Sequence, residues 1–184
     1  MVGVAMTSKQ MVRDKLSEYE RKELFGRNTG VKLLVKNFMS KARHNLETAN
    51  VLLNLSESAA AKVYLKISDS YAAYDWVIVS AYYAMYHAAM AALAALGFKS
   101  EDHEAARLGL LYYYVLEGAL ESKYVTTLEK AKKLEEEYVQ RLYKAKRTRQ
   151  IAQYSVEGEF SKAEAKSLIE DALEFVNRIG ELLR

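Results

Sequence analysis

Tyrosine and histidine side chains recur at helical spacing within an alanine-rich stretch, residues 71–89. The residues that could line a groove there are Tyr82, Tyr83, Tyr86, His87 and, farther along the chain, His103. Imidazole exchanges protons near neutral pH, and phenol hydroxyls donate and accept hydrogen bonds. Such a groove could bind a polar ligand or move a proton. The same pattern also fits plain core packing, because tyrosines fill gaps between alanine-lined helices and place their hydroxyls on polar partners.

A second candidate is a basic segment near the end of a long predicted helix, where no acid occurs between Glu137 and Glu157. Its basic residues are Arg141, Lys144, Lys146, Arg147 and Arg149. These side chains could bind phosphate or nucleic acid, or could offset the negative end of the helix dipole. An apolar stripe that continues through Leu142 and Ala145 places Arg149 on the inward face. An arginine there needs a carboxylate, a phosphate or an adjacent protomer, so a structural ion pair and an anion site fit equally well.

Several kinds of catalytic chemistry are excluded by missing motifs. The chain has no phosphate-binding glycine loop, no dinucleotide or serine-hydrolase motif, and no paired helix motif for zinc or di-iron. The absence of cysteine excludes disulfides, thiolate zinc sites and cysteine nucleophiles. His44, His87 and His103 fall on three different predicted elements, which disfavours a three-histidine metal site. We therefore expect no metal and no cofactor.

The elements that must position these residues are helices. There is no proline, and alanine, leucine, glutamate and lysine are abundant, which favours long helices with short connections. Apolar residues recur at spacings of three and four, and no strand alternation is present. The clearest inward stripes are Leu34, Phe38, Ala42, Leu46, Ala49 and Leu53 in the first bundle helix, and Ala165, Leu168, Ile169, Ala172, Phe175, Val176 and Ile179 in the last. We predict helices at about 31–55, 59–67, 71–96, 100–118, 122–154 and 161–183. The predicted fold is all-α: an antiparallel, up-and-down bundle of four to five main helices with an extra N-terminal helix or arm.

Local capping signals refine this division of the chain. Residues 1–30 form a charged, weakly amphipathic arm, with Gly26 as a predicted helix stop, and residues 31–184 form the bundle. The Ser68-Asp69-Ser70 sequence is a predicted N-cap for the central helix, which we expect to begin at Tyr71. Ser161 and Glu164, three residues apart, predict a capping box at the start of the last helix.

One apolar run, residues 76–98, carries no formal charge and is long enough to span a bilayer. Its many alanines, and the tyrosines and histidine in its first half, favour a helix buried inside a soluble bundle. The N-terminus lacks an apolar core of signal-peptide length, because residues 7–10 are polar. We expect no membrane insertion and a cytoplasmic location.

Three features together resemble the HEPN domain family, in particular its small prokaryotic branch. They are the stretch 80–89 (Ser-Ala-Tyr-Tyr-Ala-Met-Tyr-His-Ala-Ala), the later Gly97 and His103, and the stretch 149–154 (Arg-Gln-Ile-Ala-Gln-Tyr). The resemblance covers about residues 31–183 and implies a helical bundle that is commonly homodimeric. It also implies a toxin–antitoxin setting, since many members are encoded beside a minimal nucleotidyltransferase.

Active members of this family are metal-independent ribonucleases that use an arginine and a histidine a few residues apart. The resemblance places Arg149 at the arginine position and Tyr154 at the histidine position. A phenol with an ordinary pKa of about 10 is a poor general base near neutral pH. Arg149 could still bind a phosphate and stabilise developing negative charge. The sequence therefore predicts a degenerate ribonuclease motif.

Three functions are compatible with these residues. The first is a HEPN-like homodimer that binds a nucleotidyltransferase partner, RNA or a nucleotide, with little or no catalysis. The second is an active, metal-independent ribonuclease toxin with Arg149 and Tyr154 as its catalytic residues. The third is a non-catalytic structural interaction protein in which Arg149 only forms an ion pair across the dimer.

Overall fold

Helices account for most of the chain, as its lack of proline predicts. The computed structural model describes the backbone of residues 2–148 and 160–184, and the side chains of residues 9–137, 139–140 and 160–184. The helices are α1 (Val2–Arg21), α2 (Val35–Glu57), α3 (Ala59–Leu65), α4 (Tyr74–Ala95), α5 (His103–Leu110), α6 (Ser122–Thr148) and α7 (Lys162–Leu182). The remaining elements are β1 (Phe25–Arg27), β2 (Phe98–Ser100), a 3-10 turn (Thr29–Leu34) and a π-helical turn (Leu111–Val115). The predicted all-α bundle is confirmed, with a small two-stranded sheet added to it.

The bundle is organised around α4, which is buried on nearly every side. Its alanines allow α2, α5, α6 and α7 to approach closely, and the core contains residues from all five helices. The stripe predicted on α2 is confirmed from Ala42 to Leu53, and the inward positions predicted on α7 are all buried. Leu34 is an exception: it lies in the 3-10 turn before α2 and is 40% exposed. The α2 stripe therefore begins only after that turn.

Helix α4 is long and apolar enough to cross a membrane, judged by length and composition alone. Within its most apolar window, however, 78% of the residues are buried inside the protein. No other helix in the described part of the chain passes the same test. The apolar character of α4 is therefore explained by its position as the core helix of the bundle.

The predicted start of the central helix is wrong by three residues. Helix α4 begins at Tyr74, and its N-cap residue, Ala73, makes no side-chain capping bond. The backbone N–H of Ala73 instead donates to the hydroxyl of Ser56 at the end of α2, over 2.9 Å. The hydroxyls of Ser68 and Ser70 hydrogen-bond to each other. A contact distant in sequence thus replaces the expected local cap.

The small sheet was not predicted, because three-residue strands are too short to show alternation. Helix α1 ends at Arg21, and Gly26, the expected helix stop, lies within β1 instead. Strands β1 and β2 pair antiparallel, with Gly26 opposite Lys99. The rings of Phe25 and Phe98 stack across the pair at a centroid distance of 5.3 Å. This sheet attaches the N-terminal segment to the turn that follows α4.

One predicted cap is confirmed, and two further residues act at the neighbouring helix ends. Ser161 and Glu164 form the predicted capping box at the start of α7. Asp102 caps α5 through hydrogen bonds from the N–H groups of Glu104 and Ala105. Gly97 adopts a φ of 80° directly after α4, a conformation that favours glycine. The Asp102 cap sets where α5 begins, and therefore where His103 lies.

A second apolar cluster lies between α1, the sheet and the ends of α4 and α5. Leu16 of α1 is fully buried in it, together with Phe25, Leu93 and Phe98. The π-helical turn after α5 completes the cluster, because Tyr113 stacks on Phe98 with ring centroids 4.3 Å apart. A π turn widens the helix and re-aims its side chains. The N-terminal helix is therefore anchored by a packed cluster of its own.

Candidate functional site

The structure brings all five predicted groove residues into one aromatic cluster. Tyr82, Tyr83, Tyr86 and His87 lie on successive turns of α4, and His103 is the first residue of α5. The rings of Tyr86 and His103 are stacked nearly parallel, with centroids 4.1 Å apart. Tyr83 makes edge-to-face contacts with His87 at 6.2 Å and with His103 at 6.1 Å. Tyr82 is buried, whereas the other four rings are half-buried, so the cluster forms a partly open floor.

Within the cluster, the Tyr82 hydroxyl and Nδ1 of His103 are hydrogen-bonded to each other. Burial raises the pKa of the Tyr82 phenol well above its usual range, so the hydroxyl stays protonated. Burial also lowers the pKa of His103, and the nearby Lys132 ammonium acts in the same direction. We therefore assign Tyr82 as the donor, which places the proton of the neutral imidazole on Nε2.

His87 lies at the other edge of the cluster, against α2. Phe38 contacts its ring edge-to-face at a centroid distance of 6.4 Å. Burial, followed by the charge of Lys41, lowers the pKa of His87. Nδ1 of His87 is buried and has no hydrogen-bond partner among the described residues, although the Tyr83 backbone one turn back opposes the lowering of the pKa. The imidazole is therefore neutral at neutral pH, with one polar atom unpaired.

Charged side chains of α6 form a rim beside this cluster, and the sequence reasoning missed them. Burial raises the pKa of Glu135, as does the neighbouring Glu136, while Lys132 opposes the shift. Glu135 in turn contributes, after burial, to the raised pKa of both Tyr82 and Tyr83. The sequence did contain a signal for this rim. Glu135 lies seven residues after Leu128, which is buried, so the two residues share one face of α6.

The predicted basic segment is only partly described. Arg141, Lys144, Lys146 and Arg147 lie in the last turns of α6, and only their backbone is described. Arg149 and Tyr154, the predicted catalytic pair, lie outside the described residues. At a rise of about 1.5 Å per residue, position 144 lies roughly 13 Å beyond Glu135 along the same helix. One helix thus carries both the rim of the aromatic cluster and the first four residues of the basic segment.

The donor set of the site suits hydrogen bonding and stacking better than metal binding. Among the described side chains, those of residues 9–137, 139–140 and 160–184, no group of three or more histidine, cysteine, aspartate or glutamate side chains is arranged to hold a metal ion. The described cluster offers phenol hydroxyls, two neutral imidazoles and aromatic faces. Such groups can stack on a planar base and exchange hydrogen bonds with it.

Comparison with known proteins gives one family. The HEPN domain matches residues 35–182, which includes every helix of the bundle from α2 to α7 and leaves α1 and β1 outside the match. Among curated proteins, no match is found. HEPN domains are associated with ribonuclease toxins and with nucleotidyltransferase partners. Since the match spans most of the chain, the protein belongs to the HEPN domain family.

Proposed function

We propose that this protein is an RNA-binding HEPN module with little or no catalytic activity, acting as a cytoplasmic homodimer in a toxin–antitoxin type system. The observation that supports it is the arrangement on α6. The helix passes the aromatic cluster at Lys132 and Glu135 and then continues to Thr148, through the first four residues of the basic segment. Basic side chains bind RNA phosphates, while aromatic rings accept unstacked bases. A single strand of RNA lying along α6 could contact the basic side chains with its phosphates and the aromatic rings with its bases.

The low catalytic activity follows from the protonation chemistry of the motif. Tyr154 occupies the position where active relatives carry the motif histidine, and a phenol is largely protonated at neutral pH. Arg149 and the other basic residues retain the ability to bind phosphate. Binding without efficient cleavage is the result we expect from that combination.

RNA binding can be tested by fluorescence anisotropy with a labelled single-stranded RNA over a series of salt concentrations. The variant Arg141→Ala/Lys144→Ala/Lys146→Ala/Arg147→Ala should weaken binding by at least about tenfold and reduce the salt dependence, because each lost phosphate contact lowers the slope by roughly 0.7. The control is Lys36→Ala/Arg43→Ala, which removes two exposed cations from α2. Equal affinities of the two variants would reject the α6 surface, and an absence of RNA binding by the parent protein would reject the function.

A nucleotidyltransferase partner is the second part of the proposal, and it is supported by the family association. Co-expression with a nucleotidyltransferase encoded beside this chain should yield a complex that survives affinity purification and gel filtration. A mixture that separates completely at micromolar concentrations would contradict this part, while leaving RNA binding open to its own test.

An active, metal-independent ribonuclease is the alternative, and the half-buried imidazole of His103 is the observation that favours it. Its Nε2–H can donate a hydrogen bond to a phosphate oxygen, and its Nδ1 can accept a proton when the hydrogen bond from Tyr82 opens. This reading predicts RNA cleavage that persists with a chelator and falls by roughly 100-fold or more in both Arg149→Ala and His103→Gln. RNA that stays intact in the presence of the parent protein rejects it.

A further inference from the structure

Tyr83 is the ring of the aromatic cluster on which a planar ligand can stack. Its four ring contacts, with Tyr82, Tyr86, His87 and His103, are all edge-to-face, at interplanar angles between 62° and 87°. No ring of the described residues is stacked parallel on it, and the residue is only half-buried. Tyrosine rings with a free face are the usual platforms for unpaired bases.

The carboxylate of Glu135 lies beside this ring. Glu135 follows Ala131 by four residues and Leu128 by seven, and both of those residues are buried. It therefore lies on the face of α6 that packs against α4. Its charge contributes to the raised pKa of both Tyr82 and Tyr83, which places the carboxylate on their side of the helix.

Glu135 differs from the neighbouring carboxylates of α6 because it has no partner among the described residues. Glu136 is paired with Lys132 at 3.3 Å, and Glu129 is paired with Lys133 at 3.3 Å. Glu135 forms neither an ion pair nor a hydrogen bond within the described part of the chain, although it is half-buried. A carboxylate in such a position is stabilised by a ligand that supplies hydrogen-bond donors.

The charges around the cluster disfavour a cation as that ligand. Lys41 and Lys132 lie close enough to the two imidazoles to lower the pKa of each, and four more basic residues follow on α6 within 141–147. The nearby acids are already engaged, since Asp102 caps α5 and Glu104 is bonded to its neighbour Arg107. A neutral base attached to an anionic phosphate chain suits this combination of charges.

Guanine is the RNA base whose donors match a carboxylate. Its Watson–Crick edge carries a ring N–H and an amino group side by side, and a carboxylate accepts both in a bidentate contact. On the same edge, adenine and cytosine place an acceptor nitrogen beside their amino group, and uracil places its single N–H between two carbonyl oxygens. Those acceptors face the carboxylate unfavourably, because neither side supplies a proton.

We propose that Tyr83 and Glu135 form a guanosine-selective subsite for single-stranded RNA, with the base stacked on the Tyr83 ring and its N1–H and N2 amino group bonded to the Glu135 carboxylate. The Nε2–H of His103, whose ring lies 6.1 Å from that of Tyr83, is the donor available to the O6 atom of the base. The proposal rests on the RNA binding included in the proposed function, and it names the nucleotide that the aromatic cluster selects.

The central test compares labelled oligouridylates that differ only in their central nucleotide, titrated with the full chain by fluorescence anisotropy. A central guanosine should bind about tenfold more tightly than adenosine, cytidine or uridine, because a bidentate contact to a base edge discriminates by roughly that factor or more. A central inosine, which lacks the N2 amino group, should bind roughly threefold or more weakly than guanosine.

Variants assign the preference to Glu135. Glu135→Gln should remove most of it, since an amide offers one acceptor where the carboxylate offers two. The matched control is Glu129→Gln, which removes the same charge nearly two turns earlier on α6, where the carboxylate is already paired, and should keep the preference. Tyr83→Leu should weaken all the oligonucleotides by about tenfold, because stacking does not depend on the identity of the base. Circular dichroism should show folded helices in each variant.

The outcomes separate the subsite from RNA binding itself. Equal affinities for the different central nucleotides, or a guanosine preference that persists in Glu135→Gln, overturn the subsite and leave RNA binding intact. A parent protein that binds none of the oligonucleotides overturns both. A labelled arginine-containing peptide that binds in a Glu135-dependent manner, with no RNA bound, identifies a protein ligand instead and also overturns the proposal.

Discussion

The imidazole of His103 lies between two phenol rings, stacked on Tyr86 and hydrogen-bonded to Tyr82. Four of the five cluster residues lie on one helix at spacings of one to four residues, so the sequence alone predicted that they could meet. The charged rim of Lys132 and Glu135 comes from a helix distant in sequence. The distance between this rim and the aromatic cluster depends on how α6 packs against α4. Residue spacing within α4 carries no information about that packing.

Stability should depend on pH through His87 and His103. Burial lowers the pKa of both folded imidazoles below the ordinary value of 6.5, so the unfolded chain binds protons that the folded chain does not. The stabilisation is complete above pH 6.5 and is lost as the pH falls toward the folded pKa values. We expect the free energy of unfolding, measured with urea, to be smaller at about pH 5.5 than at about pH 7.

The variant His87→Gln/His103→Gln should flatten this dependence, because glutamine does not titrate. His44→Gln is the control, since His44 is an exposed residue of α2. An equally steep pH dependence in the double variant and in the control would contradict the assignment to the buried imidazoles.

At the scale of single elements, the features that depend on neighbouring residues were predicted correctly from the sequence. The capping box of α7 and the apolar stripes of α2 and α7 follow from residues three to seven apart, and they were found, with the exception of Leu34 in the turn before α2. The start of α4 and the pairing of β1 with β2 depend on contacts between distant parts of the chain. Ser56 accepts from the Ala73 N–H, and the Lys62 ammonium donates to the Asp69 carbonyl, so these two residues hold the loop before α4. Neither was identifiable as an anchor from its neighbours in sequence.

Two helical glycines should respond oppositely to alanine. A Cβ at Gly109 in α5 would lie 2.9 Å from the Phe25 ring and 3.0 Å from Leu93, so Gly109→Ala should destabilise the protein by about 1–3 kcal/mol. A Cβ at Gly180 in α7 would meet only Met39, at 3.7 Å, and Gly180→Ala should be neutral or stabilising by up to about 1 kcal/mol. Thermal unfolding of both variants tests this difference. A Gly109→Ala protein as stable as Gly180→Ala would show that β1 does not pack tightly on α5.

At the scale of the whole molecule, two apolar clusters divide the stabilising contacts. The larger surrounds α4, and the smaller holds α1 and the sheet against α5. The division of the chain into an arm at 1–30 and a bundle at 31–184 remains a prediction. The smaller cluster contains residues from both sides of that division, such as Leu16 and Phe25 from the first and Leu93 and Phe98 from the second.

Leu16 should control the attachment of α1. It is the one α1 residue that is fully buried among those with described side chains, so Leu16→Ala should cost about 2–5 kcal/mol. Part of that loss should appear as detachment of α1, detected as faster trypsin cleavage near Arg21 and Lys22. Met11→Ala is the control, because Met11 is 61% exposed. Identical cleavage rates for the two variants would mean that α1 is held by other contacts.

The pairing of β1 with β2 has a consequence for how this protein is divided. The HEPN match begins at residue 35, yet β2 lies inside the match and β1 lies outside it. A chain trimmed to the shared region would leave β2 with unpaired backbone groups and Phe98 without Phe25, which is a surface prone to aggregation. The region shared with the family and the region needed to pair β2 therefore have different boundaries. A truncated protein made for laboratory work should keep the first 34 residues.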